Sequence, residues 1–283
     1  MKFIHGVLLV LTVGPITWGA ELKTDIEYGR AGGERLLLDA RAPDGEGPFP
    51  VVIIVHGGGW GRGNKADEIS VFFDPLTQGG FTWFSINYRL APTNHWPACF
   101  EDVQTAIRWV KAHAAEFKGD PKRIALLGYS AGGQLACHAA VLAGDDTRVQ
   151  AVVACAAPTD MVADNRRRGG LSKSLQALLA RPPELTDDTI KILHELSPYD
   201  FVKPGLPPFL LLQGDADKTV PPSQSVNFQV KLLSNSVPCE LITLTNAQHR
   251  ILDWEKSDAN YTGKTIAWLR RQLSAAPSPA PSK

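Results

Sequence analysis

The chain has 283 residues with 29 basic and 29 acidic side chains, so its formal net charge is zero. Apolar residues make up 44% and charged residues 20%, which excludes a disordered, collagenous or coiled-coil chain. Because there is no basic surplus, we do not expect the protein to bind nucleic acid. The length allows one α/β domain or two smaller domains. A domain of this size can bury a hydrophobic core that is stable without disulfide bonds.

The first twenty residues, MKFIHGVLLVLTVGPITWGA, have the pattern of a secretory signal peptide. Lys2 supplies the positive charge, and an apolar run leads to small residues near a cleavage site after Gly19. Cleavage after Ala20 would place the bulky Trp18 where small residues are favoured. We predict a signal peptide at 1–19 and a secreted or periplasmic protein, with an uncleaved anchor as the alternative. Since no other apolar run approaches about 18 residues, no membrane segment is expected after cleavage.

Residues 275–283 are rich in Pro, Ala and Ser and are predicted to be a flexible tail after a catalytic domain at 20–274. The cysteines are scattered and contain no C-x-x-C pair, so zinc spacing is absent. They lie in apolar or periodic segments and are interpreted as small buried residues, although an oxidising compartment would permit one disulfide. These cysteines are Cys99, Cys137, Cys155 and Cys239.

Strand-like and helix-like segments alternate along the middle of the chain. The β-branched run at 50–56 is typical of a strand buried on both faces. Further strands are predicted at 81–88, 123–129, 149–156, 208–214 and 240–245, with antiparallel edge strands within 25–42. Helices are predicted at 97–117, 131–142, about 223–234 and about 254–273. Repeated strand–helix units predict a mostly parallel sheet flanked by helices, which is the α/β class.

Residues 158–207 interrupt this alternation and contain a helical piece at 187–196. A connection of this length between two buried strands is far longer than a usual loop and is often functional. We predict that it forms a partial cap over a cleft. The arginine cluster at 166–168 could contact an acidic substrate, but a solvated surface is the preferred interpretation.

A Gly-Tyr-Ser-Ala-Gly-Gly segment at 128–133 lies between a predicted buried strand and a predicted helix. In this context a G-x-S-x-G pattern holds its serine in a strained turn, with the hydroxyl oxygen exposed above the sheet. Ser130 is therefore the candidate nucleophile. The alternative is a helix cap without a catalytic role.

A serine hydroxyl needs a base that accepts its proton, and here the base is expected after an acid further along the chain. Three histidines follow Ser130 in the sequence. His138 lies about two turns along the same predicted helix, and His194 lies in the insertion. His249 follows the last predicted strand, where a loop leaves the carboxyl edge of the sheet, and it is the predicted base. The alternative is a surface histidine.

The acid that orients this base is expected in the loop 214–221, after the fifth buried strand. Asp217 lies deeper in the loop, from where it can turn back toward the base, and is the predicted acid. Asp215 is next to the strand, a position typical of a turn former that bonds its own backbone. Asp160 and Asp253 are minor alternatives.

Three consecutive glycines follow the first buried strand, in the segment His56–Trp60. Glycines let backbone N–H groups approach a ligand oxygen closely, and Ala131 adds an N–H at a helix N-terminus. We predict that Gly58, Gly59 and Ala131 form an oxyanion hole, against the alternative of a flexible loop.

Two aromatic residues and one histidine border these predicted groups. Trp60 could line the cleft or could simply pack, and Tyr129 is a candidate substrate contact beside the nucleophile. His56 is interpreted as a structural residue of the glycine loop rather than as a second base.

Other motifs that would indicate a nucleotide or metal site are incomplete or absent. The Gly263–Thr265 segment is similar to the end of a P-loop, but Asp258 stands where that motif requires glycine. No H-E-x-x-H is present, and 128–133 lacks the middle glycine of a dinucleotide fingerprint. The N-glycosylation sequon at 260–262 can be modified only in a eukaryotic secretory pathway. We therefore expect neither a metal nor an organic cofactor.

Taken together, these motifs resemble the esterase branch of the α/β-hydrolase superfamily that has an HGGG oxyanion loop. This branch includes hormone-sensitive-lipase-like carboxylesterases and secreted feruloyl and acetylxylan esterases. The resemblance covers about 24–274. The matching segments, in the family's order, are 25–29, 38–39, 56–60, 63–65, 87–92, 128–133, 217–221 and His249.

By this resemblance, Ser130 is the nucleophile, Asp217 the orienting acid and His249 the base. The resemblance also implies an oxyanion hole formed by Gly58, Gly59 and Ala131, and structural roles for Arg89 and Asp102. Asn87 stands where the family often has an acidic residue, and the insertion matches no motif of the family.

We therefore predict a single-domain serine hydrolase that acts on carboxylic esters, with a small-molecule or polysaccharide ester as its substrate. Secretion, the polar insertion and the resemblance favour plant-polysaccharide esters, namely acetylated or feruloylated xylan. A generic short-chain carboxylesterase and a formamidase-like amidase are the alternatives. A non-catalytic binding protein on the same scaffold is disfavoured because all three triad residue types are present.

Overall fold

A computed structural model describes residues 21–274, which fold around one eight-stranded sheet. The predicted signal peptide and tail lie outside these residues. The strands are β1 Lys23–Ala31, β2 Glu34–Arg41, β3 Phe49–Val55, β4 Thr82–Ile86, β5 Gly119–Tyr129, β6 Ala151–Cys155, β7 Phe209–Gly214 and β8 Cys239–Leu244.

The strands are arranged in the order β1-β2-β4-β3-β5-β6-β7-β8. The first two form an antiparallel edge, and β3 to β8 run parallel. The predicted α/β class and the antiparallel edge are thus confirmed. The strand order reverses between β3 and β5, and in open parallel sheets the crevice at the carboxyl ends of such strands is where ligands bind.

Eight α-helices are present within the described residues. They are α1 Phe73–Gln78, α2 Ala98–His113, α3 Ala131–Val141, α4 Met161–Arg168, α5 Lys173–Leu179, α6 Asp187–Leu196, α7 Pro222–Ser234 and α8 Tyr261–Leu273. Short 3-10 helices lie at Glu68–Phe72, Ala114–Phe117, Pro198–Phe201 and Ile251–Lys256.

Strand β3 shows how the sheet divides the core into two layers. Val51, Ile53 and Val55 belong to one buried cluster, and Val52 and Ile54 belong to the other. This alternation follows from the two-residue period of a strand, which sends successive side chains to opposite faces. Helices α2, α3 and α7 cover the first face, whereas α1 and α8 cover the second.

Two helix predictions were wrong in their bounds. The helix predicted at about 254–273 is split into a 3-10 turn and α8, which starts at Tyr261. Between the two parts, the Asp258 carboxylate accepts a hydrogen bond from the N–H of Asn260, which satisfies a backbone group outside a helix. The helix predicted at 97–117 stops being α-helical at His113 and continues as a 3-10 turn. The sequence prediction also missed the helical segment 68–78.

The insertion at 158–207 forms three helices, α4, α5 and α6, that pack on the domain. Each starts at a capped residue, because the side chains of Asp160, Ser172 and Thr186 accept a hydrogen bond from the helix's first turn. Leu175 and Leu193 are buried in the same hydrophobic cluster as helix α3, on one face of the sheet. The insertion is therefore continuous with the core.

The four cysteines are free thiols, and three of them, Cys99, Cys137 and Cys155, are buried. Burial raises the pKa of the Cys99 thiol to about 12, so this side chain is uncharged near neutral pH. The interpretation as small buried residues agrees with this packing. No helix in the described part of the chain is long and apolar enough to cross a membrane.

His138 lies on α3 with its ring buried among aromatic side chains. Trp96, Phe100 and Phe201 contact it edge-on, with ring centroids 5.3, 4.8 and 5.6 Å away. Within residues 21–274 its Nδ1 has no hydrogen-bond partner, and burial lowers its pKa to about 4. The folded protein therefore holds this imidazole neutral at pH values where the unfolded chain is protonated.

Acid should destabilise the fold through His138. The unfolded chain binds this proton as the pH falls through about 6.5, but the folded chain binds it only near pH 4, so stability is lost on acidification. Between pH 7 and 5 the wild type should lose about 2 kcal/mol more free energy of unfolding than His138→Leu. Urea denaturation at both pH values measures this difference. Equal losses in the two proteins would contradict the prediction.

Candidate active site

Ser130 occupies the sharp turn between β5 and α3. Its backbone has φ 53° and ψ −118°, a left-handed region that non-glycine residues rarely adopt. Its N–H donates to the carbonyl of Cys155 on β6, at 2.8 Å. This is the strained strand–turn–helix geometry that the sequence predicts for a nucleophile.

The glycines around this turn are required by close backbone contacts. A Cβ on Gly128 would lie 2.2 Å from the carbonyl oxygen of Gly132. A Cβ on Gly132 would lie 2.2 Å from the carbonyl oxygen of Val55, at the end of β3. Side chains never approach backbone this closely, so only glycine lets α3 pack here.

The structure brings the three predicted polar residues into one hydrogen-bonded chain. Ser130 Oγ lies 2.9 Å from His249 Nε2, and His249 Nδ1 lies 2.7 Å from Asp217 Oδ2. The Asp217 side chain is fully buried, whereas the His249 side chain keeps 20% of its surface exposed. With Nδ1 donating to the carboxylate, Nε2 is free to accept the serine proton.

The carboxylate of Asp217 is held by four donors in total. Its Oδ1 accepts the N–H groups of Thr219 and Val220, at 2.8 and 2.9 Å. Its Oδ2 accepts Nε2 of Gln213 at 3.2 Å, besides the imidazole. Gln213 is a functional neighbour that the sequence analysis missed, because it looks like one more residue of a buried strand. These bonds fix which oxygen faces the imidazole.

The other candidate acids have different roles in the structure. Asp215 does not bond its own backbone, as the sequence suggested; its Oδ1 accepts the N–H of Asn246 at 2.6 Å. It therefore ties the acid loop to the loop that contains the base. Asp160 caps α4, and Asp253 pairs with Lys256 at 2.6 Å.

The other candidate bases lie away from Ser130. His138 lies on the helix that follows Ser130, as the sequence predicted, and its ring is buried among aromatic side chains. His194 lies on α6 and pairs with Asp200 at 2.7 Å.

The glycine loop after β3 supplies free backbone donors. Gly58 and Gly59 have φ values of +108° and +60°, and a Cβ on Gly58 would lie 2.1 Å from the carbonyl oxygen of Arg62. Within residues 21–274 the N–H groups of Gly58, Gly59 and Ala131 donate to no other protein group. Both glycines line the cavity above Ser130. Such a cluster can bind a developing negative charge on oxygen.

His56 holds this loop in place. Its Nδ1 lies 2.7 Å from the carbonyl oxygen of Gly57, and its ring stacks on Tyr88 at 4.3 Å. The Tyr88 hydroxyl donates to the carbonyl of His56 at 3.0 Å. Burial lowers the pKa of His56 to about 4, so it stays neutral. The structural role expected for His56 agrees with these contacts.

The two aromatic candidates differ in their placement. Trp60 is buried, does not line the cavity, and donates its indole N–H to Gln134 at 2.9 Å. The sequence left two alternatives for Trp60, lining the cleft or packing, and the structure shows packing. Tyr129 does line the cavity, next to Ser130.

The cavity above Ser130 has a volume of about 960 Å³, and no Ala, Val, Leu, Ile or Met side chain lines it. Five glycines, four charged side chains, four hydroxyl-bearing side chains and His249 surround it. They are Gly57, Gly58, Gly59, Gly61, Arg62, Gly63, Asp67, Glu68, Tyr129, Ser130, Ser174, Thr219, His249 and Arg250. Ser174 on α5 is the insertion's contribution, so the insertion covers one side of the cavity.

The arginine cluster at 166–168 is partly structural rather than wholly solvated. Arg167 and Arg168 both pair with Asp164, at 2.8 Å. The Arg168 guanidinium also donates to the carbonyl of Thr219, two residues after the acid. This contact connects α4 of the insertion to the acid loop.

The arrangement can perform nucleophilic acyl transfer. It combines an exposed serine oxygen, an imidazole within hydrogen-bond distance, an orienting carboxylate and free N–H donors beside the same cavity. In the described part of the chain, no three His, Cys, Asp or Glu side chains cluster as a metal site requires.

The fold and the site together define an α/β-hydrolase, and the comparisons with known proteins agree. The chain belongs to the BD-FAE family, whose model matches residues 38–232. The match includes Ser130, Asp217 and the glycine loop and ends before His249.

Two similar proteins come from Mycobacterium tuberculosis. "Probable carboxylic ester hydrolase LipM" is 35% identical over 72% of this chain and 50% of its own length. "Esterase LipQ" is 32% identical over 83% of this chain and 59% of its own length. The chain thus spans only about half of these relatives.

Among solved structures, a truncated carbohydrate esterase from gut microbiota superposes with a TM-score of 0.81. It is 25% identical, and the match covers 92% of this chain and 99% of that one. The whole described fold therefore has a counterpart of nearly the same size.

The close packing at the serine turn leads to a stability prediction. Gly132→Ala should destabilise the protein by about 3 kcal/mol or more, because the new methyl would collide with the carbonyl of Val55. Gly144→Ala is the matched control, since its Cβ would meet only the flexible carboxylate of Asp146 at 3.2 Å. Soluble yield and thermal unfolding measure both. A Gly132→Ala protein as stable as the control would contradict this contact.

Proposed function

We propose that the protein is a serine hydrolase of carboxylic esters. The observation that carries this proposal is the continuous chain of hydrogen bonds from Ser130 through His249 to Asp217, at 2.9 and 2.7 Å. The family match and the names of the two esterase relatives support it. In this proposal Ser130 is the nucleophile, His249 the base and Asp217 the orienting acid.

The reaction then proceeds in two halves. As Ser130 Oγ attacks the ester carbonyl carbon, its proton moves to Nε2 of His249. The N–H groups of Gly58, Gly59 and Ala131 hold the oxyanion of the tetrahedral intermediate. When the intermediate collapses, the imidazolium gives its proton to the departing alcohol. Water, deprotonated by the same imidazole, hydrolyses the acyl-serine and restores Ser130.

The substrate we propose is the ester of a hydrophilic alcohol, of the kind found in acetylated or feruloylated xylan. The cavity lining supports this, because it contains no Ala, Val, Leu, Ile or Met side chain against which a long aliphatic chain could pack. The carbohydrate esterase among the structural neighbours supports it as well. The signal-like N-terminus would place the enzyme outside the cytoplasm, where such polymers occur.

A generic short-chain carboxylesterase is the second candidate. The names of the two mycobacterial relatives favour it, since neither mentions a carbohydrate. Both candidates use the same catalytic groups and differ only in the alcohol and acyl groups that the cavity accepts.

Removing the triad groups should abolish ester hydrolysis. Ser130→Ala should lower kcat by about 10⁶-fold and Asp217→Asn by about 10⁴-fold, the sizes of loss that removing the nucleophile or neutralising the acid causes in other serine hydrolases. Ser234→Ala, on the exposed face of α7, is the control and should leave kcat unchanged. Hydrolysis of p-nitrophenyl acetate measures kcat, and labelling with a fluorophosphonate reports the activated serine. Full activity of Ser130→Ala would refute the mechanism.

The substrate class should appear as acid released from polymer. We expect acetate from acetylated xylan or ferulate from feruloylated arabinoxylan, at rates comparable to p-nitrophenyl acetate hydrolysis. Ser130→Ala supplies the blank for both polymers. Activity on the small ester alone would instead support the generic carboxylesterase.

A further inference from the structure

The base, His249, lies in an irregular loop between β8 and the 3-10 turn Ile251–Lys256. No ladder of strand or helix hydrogen bonds fixes the backbone of such a loop, yet the imidazole must stay within bonding distance of Ser130. Two buried side chains bond consecutive carbonyls of this loop. The Trp254 indole N–H donates to the carbonyl of Gln248 at 2.8 Å, and the Tyr129 hydroxyl donates to that of His249 at 2.9 Å.

These two donors differ in where they come from. Trp254 belongs to the same stretch of chain as the loop, so its bond is local. Tyr129 is 120 residues away in sequence and is the immediate neighbour of Ser130 at the end of β5. One residue therefore joins the backbone of the nucleophile to the backbone of the base.

Packing contacts fix the ring of Tyr129 independently of the hydrogen bond that its hydroxyl makes. The residue is only 3% exposed, and its ring packs edge-on against Trp254 at 6.3 Å. Gly57 lies directly against this ring, since a Cβ there would be 2.8 Å from Cδ1 of Tyr129. The ring thus also contacts the loop that carries the free N–H donors.

The phenol is suited to act as a permanent donor. Burial raises the pKa of Tyr129 well above its usual range, so the hydroxyl keeps its proton in the working range of the enzyme. A carbonyl oxygen only accepts, so the direction of this bond is fixed.

We propose that Tyr129 is a positioning residue, whose hydroxyl sets the distance between His249 and Ser130 through the main-chain carbonyl of His249. This inference rests on the proposed function, because it assigns Tyr129 to the same acyl-transfer site. It concerns the hydroxyl, which bonds the loop, and is separate from the substrate contact that the sequence predicts for this cavity-lining residue. Misplacement of a catalytic group by about 1 Å can cost about 10²-fold in rate, so a loosened loop has a measurable effect.

Tyr129→Phe removes the hydroxyl and keeps the ring. We expect kcat on p-nitrophenyl acetate to fall about tenfold with KM within about twofold of the wild type. The loss of kcat/KM, which reports acylation, should be larger on ethyl acetate, because ethoxide must take a proton from His249 as it leaves, whereas p-nitrophenolate leaves without one. Fluorophosphonate labelling of Ser130 should slow in parallel.

The matched control is Tyr261→Phe. Tyr261 is also a buried tyrosine packed edge-on against Trp254, but it does not bond the loop. This control should keep wild-type kcat on both esters, with a melting temperature similar to that of Tyr129→Phe. If Tyr129→Phe is unstable at the assay temperature, the same comparison with Tyr261→Phe and the wild type is made below its melting transition, where the same kcat-selective loss is expected.

Unchanged kcat in Tyr129→Phe, or a raised KM at constant kcat, would overturn the positioning role. An equal loss of kcat/KM on both esters would also overturn it, because only acylation by ethyl acetate requires His249 to protonate the leaving group. These results leave the proposed function standing as long as Ser130→Ala is inactive. Conversely, an active Ser130→Ala would refute the function, whatever Tyr129→Phe shows.

Discussion

The contact between the start of α3 and the end of β3 is the constraint on which the site depends. Gly132 lies against the carbonyl oxygens of Val55 and His56, closer than any side chain would allow. Because Ser130 begins this helix and the glycine loop begins at the end of β3, the contact fixes the nucleophile relative to the free N–H donors. The left-handed backbone of Ser130 is the local strain that accompanies this packing, and the hydrogen bond to Cys155 helps to hold it.

Much of this arrangement could be predicted from the sequence, because its signals are local. A β-branched run, a serine between glycines and a histidine after the last strand each specify a backbone position, and parallel strands bring their carboxyl ends to one edge. The predictions failed where tertiary contacts decide. The break before Tyr261 depends on a polar turn inside a helical pattern. The sequence left open whether Trp60 packs or lines the cleft, and in the structure it packs, with its indole bonded to Gln134.

The residues that orient Asp217 and the loop of His249 could not be identified from the sequence for the same reason. Gln213 has the appearance of a strand residue and Asp215 that of a turn former, yet they bond the acid and the base loop respectively. Only the folded register brings Asp215 to the N–H of Asn246. A catalytic motif therefore identifies the reacting groups, whereas the partners that orient them are set by long-range packing.

The bonds between the insertion and the loops of the candidate site bear on how this protein could be re-engineered. Gln134, one turn after Ser130, donates to the carbonyl of Leu196, and Arg168 donates to that of Thr219 beside the acid. The insertion is thus not an interchangeable module. A chimaera that receives this segment from another α/β-hydrolase would change the cavity wall and the positions of Ser130, His249 and Asp217 together, unless an amide at 134 and a guanidinium near 168 find equivalent acceptors in the graft.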